Sequence, residues 1–294
     1  MRARTYSGNY GGIRGQTPMA SQRRARNFFP RSSGSTQGMT QRDMTMASMT
    51  ERSLISAAGD SARNGFTTSP VAGRATAWRH VAWLGGGIVM SFLVPFVLAD
   101  QLGLQRDLYY GIYCAAVVAL FVAWSRDTGQ SLREMRARHW RWAAALGVIF
   151  AGLSALIVLG TEDATSHPGG IEFLAAIGWR GLVYGAADGL LLSAFPILVV
   201  FAAFKDSGLR RRRGGLVAVG ALAMAASLAI TATYHLGYSD FRSSKLRRPV
   251  AGDLVWSVPT LATLNPIGAP LAHAGVHVAA VTHSYNTDLF LPPH

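Results

Sequence analysis

After residue 80 the sequence consists largely of apolar runs of about twenty residues, separated by short polar stretches. A helical run of this length spans about 30 Å, the thickness of the hydrocarbon core of a bilayer. Because backbone hydrogen bonds must be satisfied internally there, such runs predict helices. They predict an all-α polytopic helical membrane protein with about six transmembrane helices, in a domain over residues 78–294. The runs are 80–99, 108–124, 142–160, 181–204 (preceded by an interfacial stretch, 172–178), 215–236 and 265–283.

The first 77 residues have a different composition. They contain 11 Arg and three acidic residues, many Ser, Thr and Gly, and no apolar periodicity. Since such a stretch cannot bury enough apolar surface to fold, residues 1–77 are predicted to be a disordered Arg- and Ser-rich leader. Three interpretations stay open: an organelle transit peptide, a cytoplasmic tail, or an over-extended gene start.

The net charge of +13 comes from basic residues between the apolar runs and in the leader. This distribution indicates membrane orientation and contact with anionic lipid, and it argues against a nucleic-acid partner. Six helices place both termini on one side, together with the Arg-rich loops, and the positive-inside rule makes that side cytoplasmic. The Arg-, Ala- and Gly-rich composition favours a bacterial plasma membrane. The loop over 238–253 breaks the rule with four basic and two acidic residues, so either it has a role outside or the helix count near the C-terminus is wrong by one.

Smaller patterns add packing and redox constraints. Cys114 is the sole cysteine, which excludes a disulfide framework and a thiolate metal cluster. Gly181, Gly185 and Gly189 form a stripe that predicts close packing against another helix. The Tyr-rich segment over 231–242 is interpreted as an aromatic belt at the membrane edge.

Two histidines in the last apolar run, His273 and His277, mark a candidate site. Their spacing of four puts both imidazoles on one helix face, about one turn apart. Asn265 and Pro266 are predicted as the N-cap and first residue of this helix. Ionisable groups inside a membrane helix are costly unless they are paired or functional.

Three further residues are predicted in the same half of the membrane, counted by helical rise from the outer end: Asp188, His235 near the surface and, at the mouth, Arg180. Neutral imidazoles of His235, His273 and His277 can bind zinc and leave one position open for water, which the metal activates. Asp188 is then a fourth ligand, an orienting residue or the general base, and Arg180 holds an anionic substrate group. The alternative is that the histidines only hydrogen-bond across helices.

The order Arg180, His235 and His273 resembles the CAAX-protease and bacteriocin-processing family of intramembrane metalloproteases. Its motifs are Glu-Glu-x3-Arg, Phe-x3-His and His-x3-Asn on successive helices, and the resemblance implies metal-dependent hydrolysis within the bilayer. The paired glutamates correspond here to Ala175 and Ala176, the Phe to Thr231, and the Asn to His277.

Thr231-x3-His235 and His273-x3-His277 also resemble motifs of the alkaline ceramidase and progestin-receptor-like membrane hydrolases. Those proteins use Ser-x3-His, an Asp and His-x3-His, and they have seven spans.

Together these features predict a metal-dependent hydrolase that acts on a lipid or a membrane peptide. A proton-coupled transporter, in which Asp188 and the histidines titrate, and a non-catalytic scaffold are the alternatives. The inverted repeat typical of many transporters is not visible in the sequence. The oligomeric state is left open.

Overall fold

The computed structural model describes the backbone of residues 70–286 and 290–292, with side chains from Ala77 onward. The predicted leader lies outside the described residues except for 70–77, which begin the first helix. The described residues are helical and contain no strand, which confirms the all-α prediction.

The helices follow the apolar runs. In chain order they are α1 (Pro70–Val94, continued as a π-helix by Pro95–Gln101), α2 (Arg106–Asp127), α3 (Leu132–Ala137), α4 (Trp140–Thr161), α5 (Gly170–Ala203), α6 (Arg213–Leu236), α7 (Arg247–Trp256), α8 (Val258–Thr263) and α9 (Gly268–His283).

Among the described residues, five helices are long and apolar enough to cross a membrane: α1 from Ala77, α2, α4, α5 and α6. This confirms a polytopic helical membrane fold. The helix predicted as the sixth span, α9, is 16 residues long and has ten buried residues, so it packs inside the bundle.

Helix α5 is longer than predicted. It runs without interruption over Gly170–Ala203, so the expected separation of an interfacial stretch at 172–178 from the span is wrong. Two π-helical stretches, Ile177–Tyr184 and Leu190–Ala194, are built into it. Such π turns locally widen a helix and are frequent at functional sites.

The glycine stripe of α5 packs against α9, as predicted. A Cβ atom at Gly185 would lie 2.9 Å from the Cα atom of Ala274, and one at Gly189 would lie 2.8 Å from the Cα atom of Pro270. Only glycine permits this approach of the two backbones. The contacts pair rising numbers in α5 with falling numbers in α9, so the two helices are antiparallel.

The start of α9 differs from the prediction. The helix begins at Gly268, and the Oδ1 atom of Asn265 accepts a hydrogen bond from the N–H of Ile267 at 2.9 Å instead of capping it. The side-chain amide of Asn265 donates to the backbone carbonyls of Arg136 and Arg138. Helix α9 therefore starts at the end of the bundle that carries the Arg-rich loops, which we call the Arg-rich end.

Helix α9 also runs in the opposite direction from the one expected. His283, its last residue, contacts the backbone carbonyl of Glu162 through Nε2 at 3.0 Å, at the opposite end of the bundle. Arg248, at the start of α7, lies 3.6 Å from the carboxylate of Glu162. The pair α7–α8 thus passes from that end to the Arg-rich end before α9 returns.

This extra passage changes the order in which the described helices cross the bundle, while the side on which the termini themselves lie stays a prediction. The described chain begins at the Arg-rich end, where Arg79 pairs with Asp127, and its last helix ends at the other. The basic loop over 238–253 indicated this extra passage in the sequence, because it connects α6 to the helices α7 and α8, which the predicted six spans did not include. Ser257 and Pro259 lie where the passage divides into α7 and α8, so its sequence lacks one continuous apolar run.

Candidate metal centre

Two histidines of α9 and one aspartate of α5 form a buried group inside the bundle. The Oδ2 atom of Asp188 lies 3.3 Å from the Nε2 atom of His277 and 3.5 Å from the Nδ1 atom of His273. Each side chain is at most 7% exposed. One ligand atom from each residue lies within 4.8 Å of the other two, so a single metal ion can contact all three.

Local sequence explains why these side chains meet. The spacing of four places His273 and His277 on the same face of α9. Asp188 lies in the short α-helical segment Gly185–Gly189, between the two π-helical stretches of α5. The glycine stripe brings that segment against α9. The predicted grouping of Asp188 with the two histidines is therefore observed, although the depth argument assumed the wrong direction for α9.

A second buried aspartate, Asp253 of α7, stands behind this group. The Oγ atom of Ser193 donates to the Oδ1 atom of Asp253 at 2.6 Å and lies 3.0 Å from the Nε2 atom of His273. Ser257 also donates to the carboxylate of Asp253, at 3.0 Å. The Oγ atom of Ser227 lies 2.8 Å from both this carboxylate and the backbone carbonyl of Leu192, which share its one proton. Asp253 is fully buried.

With Asp253 ionised, these contacts determine which nitrogen of His273 carries the imidazole proton. An ionised carboxylate only accepts hydrogen bonds, so in that state the single hydroxyl proton of Ser193 is donated to Asp253. Ser193 must then accept a hydrogen bond from His273, whose proton is on Nε2. The Nδ1 atom of a neutral His273 therefore keeps its lone pair and faces Asp188, which is also an acceptor. Two facing acceptors repel each other unless a proton or a metal ion lies between them.

The charges lead to the same requirement. Within the described part of the chain, the basic groups within 4.0 Å of the Asp188 carboxylate are His273 and His277, and the one near Asp253 is His273. Buried carboxylates need a compensating cation. A divalent metal ion would balance both carboxylates while both imidazoles stay neutral.

His235 lies beside the group but not in it. Its Nδ1 atom lies 2.8 Å from the backbone carbonyl of Thr231, one turn earlier. Since a carbonyl only accepts, Nδ1 carries the proton and Nε2 keeps a lone pair. His235 is not among the three ligand atoms that converge, so its role as a metal ligand stays a prediction.

A small cavity joins these residues. It has a volume of about 30 Å³, enough for about two water molecules. Asp188, His235, His273 and His277 all line it. The cavity therefore has room for water next to the converging ligand atoms.

Buried tyrosines surround the cavity, and sequence reasoning missed them as a unit. The hydroxyl oxygens of Tyr109 and Tyr238 lie 2.6 Å apart, Tyr238 donates to Tyr234 at 2.8 Å, and the oxygens of Tyr234 and Tyr184 lie 2.6 Å apart. All four are at most 5% exposed, so the interpretation of Tyr234 and Tyr238 as a membrane-edge belt is wrong. The hydroxyl of Tyr113 donates to the Oδ1 atom of Asp188 at 2.9 Å.

The direction of this hydroxyl chain leaves one proton free. Each phenol has one proton to donate. Tyr238 gives its proton to Tyr234, so Tyr109 donates to Tyr238. Either hydroxyl of the Tyr234–Tyr184 pair can be the donor to the other. The chain therefore leaves one proton, of Tyr184 or of Tyr234, available to the cavity, which both residues line.

Arg180 is held away from this group by another contact. Its Nε and Nη2 atoms donate to the two carboxylate oxygens of Asp107 at 2.8 and 2.7 Å, and its Nη1 atom donates to the hydroxyl of Tyr285 at 2.8 Å. It does not line the cavity. The predicted role of Arg180 in holding an anionic substrate group stays a prediction, and it would require this ion pair to open.

The aspartate that the sequence analysis overlooked had a detectable signal. Asp253 is the only acidic residue in the otherwise apolar stretch 249–264, and that stretch forms the uncounted passage. Ser193 had no comparable signal, because a single serine in a membrane helix is common.

Comparisons with protein-family models, with curated proteins and with solved structures found no match to this chain. The site is therefore interpreted from its own geometry.

Proposed function

We propose that this protein is a metal-dependent hydrolase that acts within the bilayer, with the metal held by Asp188, His273 and His277. The facing acceptors, Nδ1 of His273 and Oδ2 of Asp188, carry the proposal, because their lone pairs converge on a point that needs a cation. The hydrogen bond of Ser193 to the outer nitrogen of His273 is the kind of contact that orients metal-binding histidines.

The ligand set favours zinc among the divalent metals. Two imidazoles and one carboxylate suit zinc, and catalytic zinc sites keep three protein ligands and one open position. The adjoining cavity of about 30 Å³ offers space for a water at that position. A structural site would instead be closed by a fourth protein ligand.

When bound, the metal would polarise a carbonyl group and acidify a water molecule. His235, with its free Nε2 lone pair, would take one proton from that water. The water oxygen would bond to the acyl carbon, the C–O or C–N bond would break, and the leaving atom would receive a proton from Tyr184. The proton held by His235 would then return to Tyr184 through water in the cavity that both residues line, which restores both groups.

The apolar surface of the bundle supports a membrane-embedded substrate. Residues of α5, α6, α7 and α9 line the cavity, and elsewhere on the bundle α4 exposes large apolar side chains such as Ile149 and Leu156, at 62% and 67%. A lipid or the transmembrane part of a peptide would reach it from the hydrocarbon. The passage α7–α8 makes α9 the seventh crossing of the bundle, in line with the resemblance to the ceramidase-like hydrolases.

A proton-coupled carrier is the second candidate, favoured by one observation. Asp188, His273, Ser193 and Asp253 form a continuous polar line with contacts of 3.5, 3.0 and 2.6 Å. A proton in place of the metal would satisfy the same facing acceptors, and such lines occur as proton relays in transporters.

The test is metal content together with hydrolysis. Protein purified in mild detergent should contain about one equivalent of zinc, as expected for a three-ligand site, and should release fatty acid or peptide from membrane extracts. His273→Ala should lose both, whereas His167→Ala, at an exposed histidine, should lose neither. A well-folded protein that takes up no zinc, iron or manganese would overturn the proposal and favour the carrier. Metal uptake without release from any lipid or peptide substrate would reject hydrolysis.

A further inference from the structure

We propose that the Arg-rich end carries a binding site for the anionic headgroup of a phospholipid. The site is independent of the metal centre and of the proposed hydrolysis. It is a cavity of about 190 Å³ at the end of α5, between α3 and the turn over 208–211. It is larger than the cavity of about 30 Å³ beside Asp188, and its lining combines cations with apolar residues.

Three cations from three different segments line the cavity: Arg138, Lys205 and Arg210. Glu134 is the one carboxylate among the lining residues. None of the three cations belongs to an ion pair within residues 77–286. The cavity therefore has an excess of positive charge that the described side chains do not neutralise.

Local contacts hold two of these cations in place. Arg210 folds back over the end of α5, where its Nη1 atom donates to the backbone carbonyl of Phe201 at 3.2 Å and its guanidinium lies 5.4 Å from the centre of the Phe201 ring. The backbone of Arg138 is held by the side-chain amide of Asn265. The contacts of Arg210 reduce the entropy that its side chain would lose on binding an anion, and the contact of Arg138 orders the backbone from which its side chain extends.

The apolar lining residues, which we call the floor, favour an anion that is part of a lipid. They are Met135, Leu198, Phe201 and Leu264, and the cavity lies where the apolar span α5 ends and the basic loop begins. A phospholipid matches this arrangement, because its phosphate would contact the cations and its ester-linked acyl chains would contact the apolar residues. Basic pockets between membrane helices bind anionic headgroups in this way. A free phosphate would use the cations but not the floor.

The experiment compares two triple variants that remove the same charge. Arg138→Gln/Lys205→Gln/Arg210→Gln removes the cations of the cavity. Arg133→Gln/Arg211→Gln/Arg212→Gln removes three exposed cations of the same loops that do not line it. Binding of phosphatidylglycerol and phosphatidylcholine to the full-length protein is measured by native mass spectrometry after release from detergent, alongside inorganic phosphate.

The wild-type protein should retain phosphatidylglycerol in preference to phosphatidylcholine. The cavity variant should bind phosphatidylglycerol about tenfold or more weakly, and the control variant should differ little from wild type. Equal losses in both variants would overturn the proposal, because the effect would then be general surface charge. Inorganic phosphate that binds as tightly as the lipid would also overturn it, in favour of a free-phosphate site. If the triple variant does not remain monodisperse, Lys205→Gln against Arg211→Gln gives the same comparison with one charge.

Discussion

The two buried aspartates of the bundle have similar burial but opposite surroundings. Three serine hydroxyls lie within hydrogen-bond distance of the Asp253 carboxylate, those of Ser193, Ser227 and Ser257. Asp188 accepts from one hydroxyl, and its other oxygen faces two imidazoles. Hydroxyl donors stabilise a carboxylate without adding charge, whereas imidazoles are good metal ligands. Burial alone therefore does not distinguish a candidate metal ligand from a structural carboxylate. The side chains that face the carboxylate do, since Asp188 faces imidazoles and Asp253 faces hydroxyl groups.

The largest expected effect comes from removing the carboxylate that faces the imidazoles. Asp188→Asn keeps the size of the side chain but takes away the negative ligand. We expect zinc affinity to fall by more than about 100-fold, beyond the range that residues behind the ligands usually contribute. A competitive titration with a fluorescent zinc chelator measures this. An Asp188→Asn protein that binds zinc as the wild type does would remove Asp188 from the site.

The same substitution at the other aspartate should act indirectly. In Asp253→Asn, Ser193 can accept a hydrogen bond from the new amide and donate its own hydroxyl proton in a hydrogen bond to Nε2 of His273. The imidazole would then carry its proton on Nδ1, which blocks the metal-facing nitrogen. We expect zinc affinity to fall by about 10- to 100-fold.

Nitrogen-15 NMR of the labelled histidines separates this effect from general loss of structure, because it reports which ring nitrogen is protonated. In the metal-free wild type, Nε2 of His273 should carry the proton, and in Asp253→Asn the proton should move to Nδ1. Unchanged protonation together with reduced affinity would reject the proposed link through Ser193.

A third substitution tests whether the close packing of α5 against α9 is what brings Asp188, unlike Asp253, to face two imidazoles. Gly185→Ala would place a methyl group 2.9 Å from both the Cα atom of Ala274 and the Cδ2 atom of His277, so α5 and α9 must separate. We expect a loss of about 1–3 kcal/mol in the free energy of unfolding, as for other overpacked sites, and weaker zinc binding. Gly178→Ala, on the same helix with no atom within 4 Å, is the matched control and should cost nothing. Thermal unfolding in detergent, with and without zinc, compares the two.

Much of this architecture was predictable from the sequence, and the failures have definite causes. Apolar runs determine where helices form in hydrocarbon, and the glycine stripe correctly predicted the packing of α5. The passage α7–α8 was missed because two short helices do not give the continuous apolar run that marks a span. Asp188, His273 and His277 were recognised because ionisable groups are rare at membrane depth. Their partner Asp253 was missed together with the passage that carries it.

The tyrosines show a limit of another kind. Aromatic residues near the ends of apolar runs usually lie at the membrane edge, so Tyr234 and Tyr238 were interpreted in that way. The loop over 238–246 and the neighbouring helices cover them instead, and that depends on tertiary contacts that no local pattern encodes. The hydroxyl chain that leads to Tyr184 could be found only from the structure.

The smallest expected effect concerns the one hydrogen bond that Asp188 accepts from a hydroxyl group, that of Tyr113. Tyr113→Phe removes the donor to its Oδ1 atom and leaves the ring in place. A carboxylate that loses this bond becomes more basic and less well oriented, two changes that partly cancel in metal binding. We therefore expect zinc affinity to change by about tenfold at most, at the lower limit for residues behind the ligands.

Tyr110→Phe is the matched control, because the Tyr110 hydroxyl is buried without a hydrogen-bond partner among the described residues, and it should leave zinc affinity unchanged. Tyr113→Phe could instead lower zinc affinity as strongly as Asp253→Asn. The hydrogen bond from Tyr113 to Asp188 would then contribute as much to zinc binding as the Asp253 carboxylate that contacts His273 through Ser193. The contrast between the two aspartates would then lie in the number of donors rather than in their chemistry.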